Sequence, residues 1–362
     1  MGWFVWCGFR QKRDNRVPLP DDTISGPLDY SRDFRVSIRT KSFLLEKASR
    51  PATGCANFAP IMVVRPLNPG EVDAVAELIH RSTNDWYRKS LGREIFSGRP
   101  RDCRIYPETY EALDPGCGLV VELEGKLAGV CFYHPRETHV GLGIMAVAPE
   151  FARQGVGRML LAKVIIEAGS LPIRLVSSAM NLDSFSLYTR AGFGAVAAYQ
   201  DMRMPTDEPL PPLANITGTV RAATTADLFP MVDLEENLAG IRRGKDLAHF
   251  IQNPGGHWRT MVHRDPSGKI DGWLTSVDHA GCRMIGPGVM ADEYVALALL
   301  HSQLSAPRGG LPIFLVPTHE SYMVSELYRW GAKNVEIHFL QVRGPYTQPA
   351  GLVMPSFLPE SG

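Results

Sequence analysis

Met145-Ala-Val-Ala-Pro-Glu-Phe-Ala-Arg-Gln-Gly-Val-Gly-Arg-Met-Leu-Leu161 carries the strongest signal in the chain. A β-rich run ends at Val147, Pro149 follows it, and Gly155 and Gly157 let the backbone turn tightly into an apolar helix over roughly 155–168. Amides with no Cβ in the way converge at such a helix start, where the dipole and the unpaired N–H groups favour phosphate. Arg153 and Arg158 flank the turn and add charge-assisted donors suited to a diphosphate. A plain strand-to-helix connection with surface arginines would carry the same glycines, so the loop alone leaves both readings open.

Working outward, Val140 to Val147 is preceded by two β-rich runs within Leu119–Tyr133, and the Glu124-Gly-Lys126 centre between those runs predicts a hairpin. Further back, a strand-like Ile61–Arg65 leads past Pro66 into an apolar stripe at Val72, Val75, Leu78 and Ile79, which predicts a helix. After the glycine turn come a strand from Leu171 to Ser177, a helix from Phe185 to Arg190 and a last strand from Ala195 to Met204. This order predicts an α/β class fold, a mixed sheet with helices on both faces.

A proline-rich stretch, Thr206-Asp-Glu-Pro-Leu-Pro-Pro-Leu213, reads as a linker. Beyond it the chain repeats itself. Leu171-Pro-Ile-Arg-Leu-Val176 recurs as Leu311-Pro-Ile-Phe-Leu-Val316, Leu187-Tyr188 as Leu327-Tyr328, and Gly141-Leu-Gly-Ile-Met145 as Gly286-Pro-Gly-Val-Met290. Three matches in one order predict a whole-domain repeat. The boundaries expected are an extension over 1–58 without assigned function, a first domain over 59–205, the linker over 206–213, a second domain over 214–345 and a tail over 346–362.

Composition narrows the function. Lys plus Arg, 38, equals Asp plus Glu, 38, so there is no basic field of the kind that holds nucleic acid or anionic membrane. The apolar start, Met1 to Phe9, lacks a basic flank and is far shorter than a membrane span. Six scattered cysteines contain no C-x-x-C pair, so neither a disulfide framework nor a zinc site is expected, and a reducing cytoplasm fits. His249, His257 and His263 lack zinc-like spacing and read as surface residues; no metal is expected.

The segment Asn181-Leu-Asp-Ser-Phe-Ser-Leu-Tyr-Thr-Arg-Ala-Gly-Phe193 joins the glycine turn to complete a pattern that resembles the GNAT acetyltransferase family. That family's signature is a strand ending in Val, a Q/R-x-x-G-x-G/A loop, and an Asn-to-Tyr-to-Gly-Phe segment. Ala152 departs from it, standing where the family prefers Gln or Arg, with Arg153 next to it as the substitute donor. The clear resemblance spans about 61–205, and the repeat implies two tandem GNAT-like domains, each a mostly antiparallel mixed sheet flanked by helices, with the second copy degenerate.

What the resemblance implies is an acetyl-CoA-dependent N-acetyltransferase that passes an acetyl group to an amine of a small molecule or protein by direct attack in a ternary complex. Acetyl-CoA would pair with the backbone of Met145, Ala146 and Val147 through its pantetheine arm, and Arg153, Gln154, Gly155, Val156, Gly157 and Arg158 would hold the pyrophosphate. Asn181 would hydrogen-bond the arm. The Tyr188 hydroxyl would act as general acid on the departing thiolate. A core tyrosine on an apolar helix face is the plainer reading of Tyr188. The implied partner is an amine-bearing acceptor, with a homodimer an allowed assembly. The other class of reading is a non-catalytic acetyl-CoA-binding sensor or scaffold, against which intact Tyr188 and Asn181 argue.

No carboxylate lies in Val140–Val147 or Leu171–Val176 to serve as base; His134, Glu137 and His139 stand in what reads as a solvated loop, and the base is unassigned. Asp85, Trp86 and Glu94 are candidates to receive a cationic amine. In the second copy, Asp292 and Glu293 at the helix start would repel a diphosphate. By offset, Ser321 stands for Asn181, and Tyr328 is expected to persist as packing.

Overall fold

A computed structural model of the chain describes residues 62–205, 209–213 and 217–359; the extension over 1–58 lies outside the described residues. The first half runs β1 (Val63–Pro66), α1 (Val72–Leu91), α2 (Ile105–Leu113), β2 (Gly118–Leu123), β3 (Lys126–Pro135), β4 (Val140–Val147), α3 (Val156–Ala168), β5 (Ile173–Ser178), α4 (Leu182–Arg190) and β6 (Gly194–Arg203). The second half repeats the order as β7 (Thr219–Ala222), α5 (Leu228–Ala239), α6 (Gly244–Gln252), β8 (Trp258–Arg264), β9 (Ile270–His279), β10 (Cys282–Met290), α7 (Glu293–Leu304), β11 (Ile313–Pro317), α8 (Ser321–Arg329) and β12 (Lys333–Arg343). It then adds β13 (Leu352–Met354).

Local sequence explains the elements. The stripe of Val75, Leu78 and Ile79 is buried on α1, which runs on to Gly92, whose φ of 66° ends it. At the β2–β3 hairpin, Glu124 (φ 54°) and Gly125 (φ 72°) both take positive φ, as a two-residue turn of matching twist requires. A Cβ at Gly129 on β3 would strike Val156 of α3, and one at Gly272 on β9 would strike Val295 of α7, so both halves bring a helix down on a bare strand position.

Among the described residues the strands form one mixed 13-stranded sheet in the order β1-β2-β3-β4-β5-β12-β6-β11-β10-β9-β8-β7, with β13 beside β10. The halves exchange their last strands: β12 lies between β5 and β6, and β6 lies between β12 and β11. Periodicity finds strands but says nothing about distant pairing. The stretch around 206–213 joins β6 to β7.

Phe185 of α4 meets Phe339 of β12, and Gly129 abuts α3, so α3 and α4 lie on one face. Tyr110 of α2 packs on Phe132, and the Tyr87 hydroxyl of α1 donates to Glu336 at 3.0 Å, placing α1 and α2 on the other. There Arg136 links the halves with buried bonds to Asp114 (2.9 Å) and to Asp246 of α6 (2.6 Å). Among the described residues no helix is long and apolar enough to cross a membrane.

Candidate functional site

β4 and β5 run parallel but pair only at Val140↔Ile173 and Gly141↔Arg174, then separate. The cause lies in β4, where Gly143 and Ile144 together oppose the single residue Phe132 of β3, a bulge that bends the strand away. Beyond the bulge, Met145, Ala146 and Val147 pair with β3 on one side and face the gap on the other. The Ala148 amide donates to Ala128 on the β3 side at 2.9 Å, so strand alternation turns the amides of Met145 and Val147 into the gap and that of Ala146 towards β3. The Val147 carbonyl accepts from the Ser82 hydroxyl of α1 at 2.8 Å, a contact the sequence did not suggest.

The gap leads to the start of α3. Arg153 (φ 62°) and Gly155 (φ 92°) take left-handed backbone, and Gly155 is an N-cap with no side chain over the first helical amides. A Cβ at Gly157 would lie 3.4 Å from Leu187 and 3.7 Å from Val147, at the wall of the gap. Val156 is buried, whereas Arg153, Gln154 and Arg158 are exposed; Arg153 makes only a loose 3.8 Å contact with Asp183. Exposed, weakly engaged arginines beside bare amides make an anion-receptive end.

Asn181 caps α4, its Oδ1 accepting from the Ser184 amide at 3.1 Å, which leaves its Nδ2 as the donor for anything in the gap. Tyr188 is the buried residue of α4, and its ring lies tilted at 57° to that of Phe193 with centroids 5.8 Å apart.

The second half builds the same place and closes it. β10 and β11 pair only at Met284↔Ile313 and Ile285↔Phe314, with a bulge at Gly286 and Pro287, but β13 then occupies the gap, pairing Met354 with Gly288, Val353 with Val289 and Leu352 with Met290. The Asp292 side chain caps α7, accepting from the Tyr294 and Val295 amides at 2.9 Å each. An internal carboxylate thus holds the amides that are bare in α3.

Structural register corrects the repeat alignment. Ala148 and Ala291 each end their strand by donating to the preceding hairpin, so Met290 corresponds to Val147 and not to Met145. Phe193 donates to the Tyr188 carbonyl as Ala332 does to that of Leu327, so Tyr188 is matched by Leu327, not Tyr328. Phe185 donates to Asn181 as Val324 does to Glu320, so Asn181 is matched by Glu320, not Ser321. Tyr328 is not packing: it is 48% exposed and its hydroxyl bonds Gln200 at 2.8 Å.

On the α1 face the loop histidines prove buried. His134 lies in β3 with Nδ1 2.7 Å from Asp114, and His139 precedes β4; burial lowers both pKa values, for His139 with Arg174 and Arg243 adding to the effect. Burial also raises Asp114, but His134, Arg136 and Lys245 outweigh it and hold the carboxyl at about 2. His263, expected at the surface, is buried against Asp271 at 2.6 Å. Asp85 and Glu94, candidates for an amine, are taken by Lys89 and Arg88.

Carboxylates do gather elsewhere on this face. Asp201 of β6 with Glu336 and His338 of β12 present potential metal-ligand atoms within 4.8 Å of one another, all three buried. Burial and the Glu336 charge push Asp201 up to about 7, and burial pulls His338 down to about 4. Because β12 is exchanged from the second half, no first-half motif could have found this group.

Residues 80–193 match the family model described as the Acetyltransferase (GNAT) family. A proposed acetyltransferase of Pyrococcus horikoshii is similar with TM-score 0.63 and 16% identity, over 80% of this chain and 92% of that one. A GCN5-related N-acetyltransferase of Sphaerobacter thermophilus gives 0.55 and 18% over 80% and 98% of the two chains. A tandem GNAT protein from the clavulanic acid biosynthesis pathway gives 0.53 and 15% over 79% and 100%. At such identities the likeness is one of fold. No curated protein matches the chain in sequence.

Proposed function

We propose that the chain, whose residues 80–193 match the GNAT acetyltransferase family model, is an acetyl-CoA-dependent N-acetyltransferase with one cofactor site, the β4–β5 gap continued by the start of α3. The observation that carries this reading is the contrast between halves: among the described residues the amides of Met145 and Val147 face an open gap and α3 is uncapped, while β13 and Asp292 close the equivalent place.

Acetyl-CoA would be held along Met145–Val147 and by the amides from Arg153 to Arg158, with Asn181 as a donor from the far wall, and would supply the thioester to be attacked. The residues then divide the work. The β4 edge orients the arm as an added strand would. Gly155 and Gly157 keep side chains away from the phosphate end. Tyr188 provides the proton that the leaving sulfur requires. The acceptor, an amine, approaches from the α1 face, and a cytoplasmic setting belongs to the same proposal. A thiol-release assay with acetyl-CoA and a panel of aminoglycosides, polyamines and amino acids tests it; binding of acetyl-CoA with no thiol released on any amine would favour a cofactor sensor instead.

A further inference from the structure

In the repeated segments 171–176 and 311–316 one residue differs, Arg174 against Phe314. Register separates the two: Phe314 pairs with Ile285, which pairs with Ser276 on the α7 face, whereas Arg174 lies on the face opposite α4, and with Val147 matched by Met290 the Gly141↔Arg174 rung corresponds to Met284↔Ile313. In the closed half a part-buried isoleucine, Ile313, holds the place of Arg174, a hydrocarbon as burial alone would select. In the open half a guanidinium stands there, 6% exposed.

That guanidinium has no counter-ion among the described residues. Among the described residues Arg174 makes no ion pair or hydrogen bond, and its Nε is buried without a partner. Its charged neighbours cancel among themselves: Arg136 and Lys245 meet Asp114 and Asp246, and Arg243 meets Glu235, three cations against three anions. One positive charge is left over, in a place where an isolated charge is strongly unfavourable. Beside it the Tyr346 ring lies 5.6 Å from the guanidinium carbon, and the Tyr346 hydroxyl is also buried with no partner among the described residues. Tyr346, between β12 and β13, is part-exposed and lines a narrow surface cleft with Tyr199. Arg174 shares a sheet face with its partner Val342 and hence with His338, the face opposite α4, from which an acceptor would come.

We propose that Arg174 and the Tyr346 hydroxyl form an anion subsite at the apex of the gap, and that the acceptor is an amine bearing a carboxylate a few bonds from its nitrogen. One unbalanced charge and two neighbouring donors suit a monoanion better than a phosphate dianion. The inference rests on the acetyltransferase reading, which acetyl-CoA binding tests separately.

Two measurements decide it. First, Arg174→Met in the ligand-free chain keeps or raises the melting temperature, because a buried unpaired charge is removed at similar volume; a fall of several degrees would mean that Arg174 is a structural anchor and overturn the subsite. Second, thiol release is compared within pairs of an amino acid and its decarboxylated amine: alanine and ethylamine, phenylalanine and phenethylamine, lysine and cadaverine. The acid of at least one pair is preferred in kcat/KM by about tenfold or more, and Arg174→Met erases the preference through KM. Equal use of both members, no use of any acid, or a fall in kcat alike for both overturns the proposal. If acetyl-CoA still binds in those cases, only the acceptor assignment fails; if it does not bind, the underlying reading fails as well.

Discussion

Tyr188 and Leu327 hold one place in the two halves: each follows the strand beyond the gap, and each carbonyl accepts the amide five residues on, from Phe193 at 3.1 Å and from Ala332 at 2.9 Å. A phenol stands in the open half and a hydrocarbon in the closed one. Tyr188→Phe is therefore expected to keep acetyl-CoA affinity while lowering kcat by on the order of a hundredfold. Steady-state kinetics beside a binding titration check this; unchanged turnover with chemistry rate-limiting removes Tyr188 from the reaction.

β13 is expected to be structural. Met354 has no exposed surface, and Met354→Ala should cost about 2–5 kcal/mol in denaturant unfolding by leaving a cavity beside β10. It should not open a second acetyl-CoA site, because Asp292 still holds the α7 amides. A new binding event in this variant would show that β13 alone closes the second half.

The Asp201 carboxyl, pushed up to about 7 by burial and by Glu336, sets a pH dependence. Folding raises its pKa from an ordinary value near 3.8, so the folded chain holds this proton until about pH 7. The group's penalty is absent below pH 4, grows between pH 4 and 7, and is fully felt above 7. Asp201→Asn removes it, so the melting temperature of the variant minus that of the wild type should be larger at pH 8 than at pH 5. A difference that is flat or falls across that range contradicts the raised carboxyl.

How much of this could be read from the chain depends on distance along it. The glycine turn at Gly155 and Gly157 and the helix that carries Tyr188 were legible as local structure because they are short contiguous patterns with their own physical causes. The exchange of β6 and β12 was not, since no local periodicity names a strand's neighbour. Offsets taken from matching letters slipped by one at Tyr328 and by two at Met290: the bulge, Gly143–Ile144 and Gly286–Pro287, ends three residues before the strand end in both copies, while the glycines that match by letter stand at different places relative to it. No local pattern singled out Arg174, and it acquires meaning only once its lack of a counter-ion among the described residues is known.

The single cofactor site is tested most directly by calorimetric titration of the chain with acetyl-CoA, alone and as Gly157→Val, whose side chain would enter the wall formed by Leu187 and Val147. The expected result is one acetyl-CoA per chain for the wild type and none for the variant, with acetyl-CoA raising the melting temperature only in the former. Two sites per chain, or one that survives in a folded Gly157→Val protein, would place the cofactor outside the β4–β5 gap.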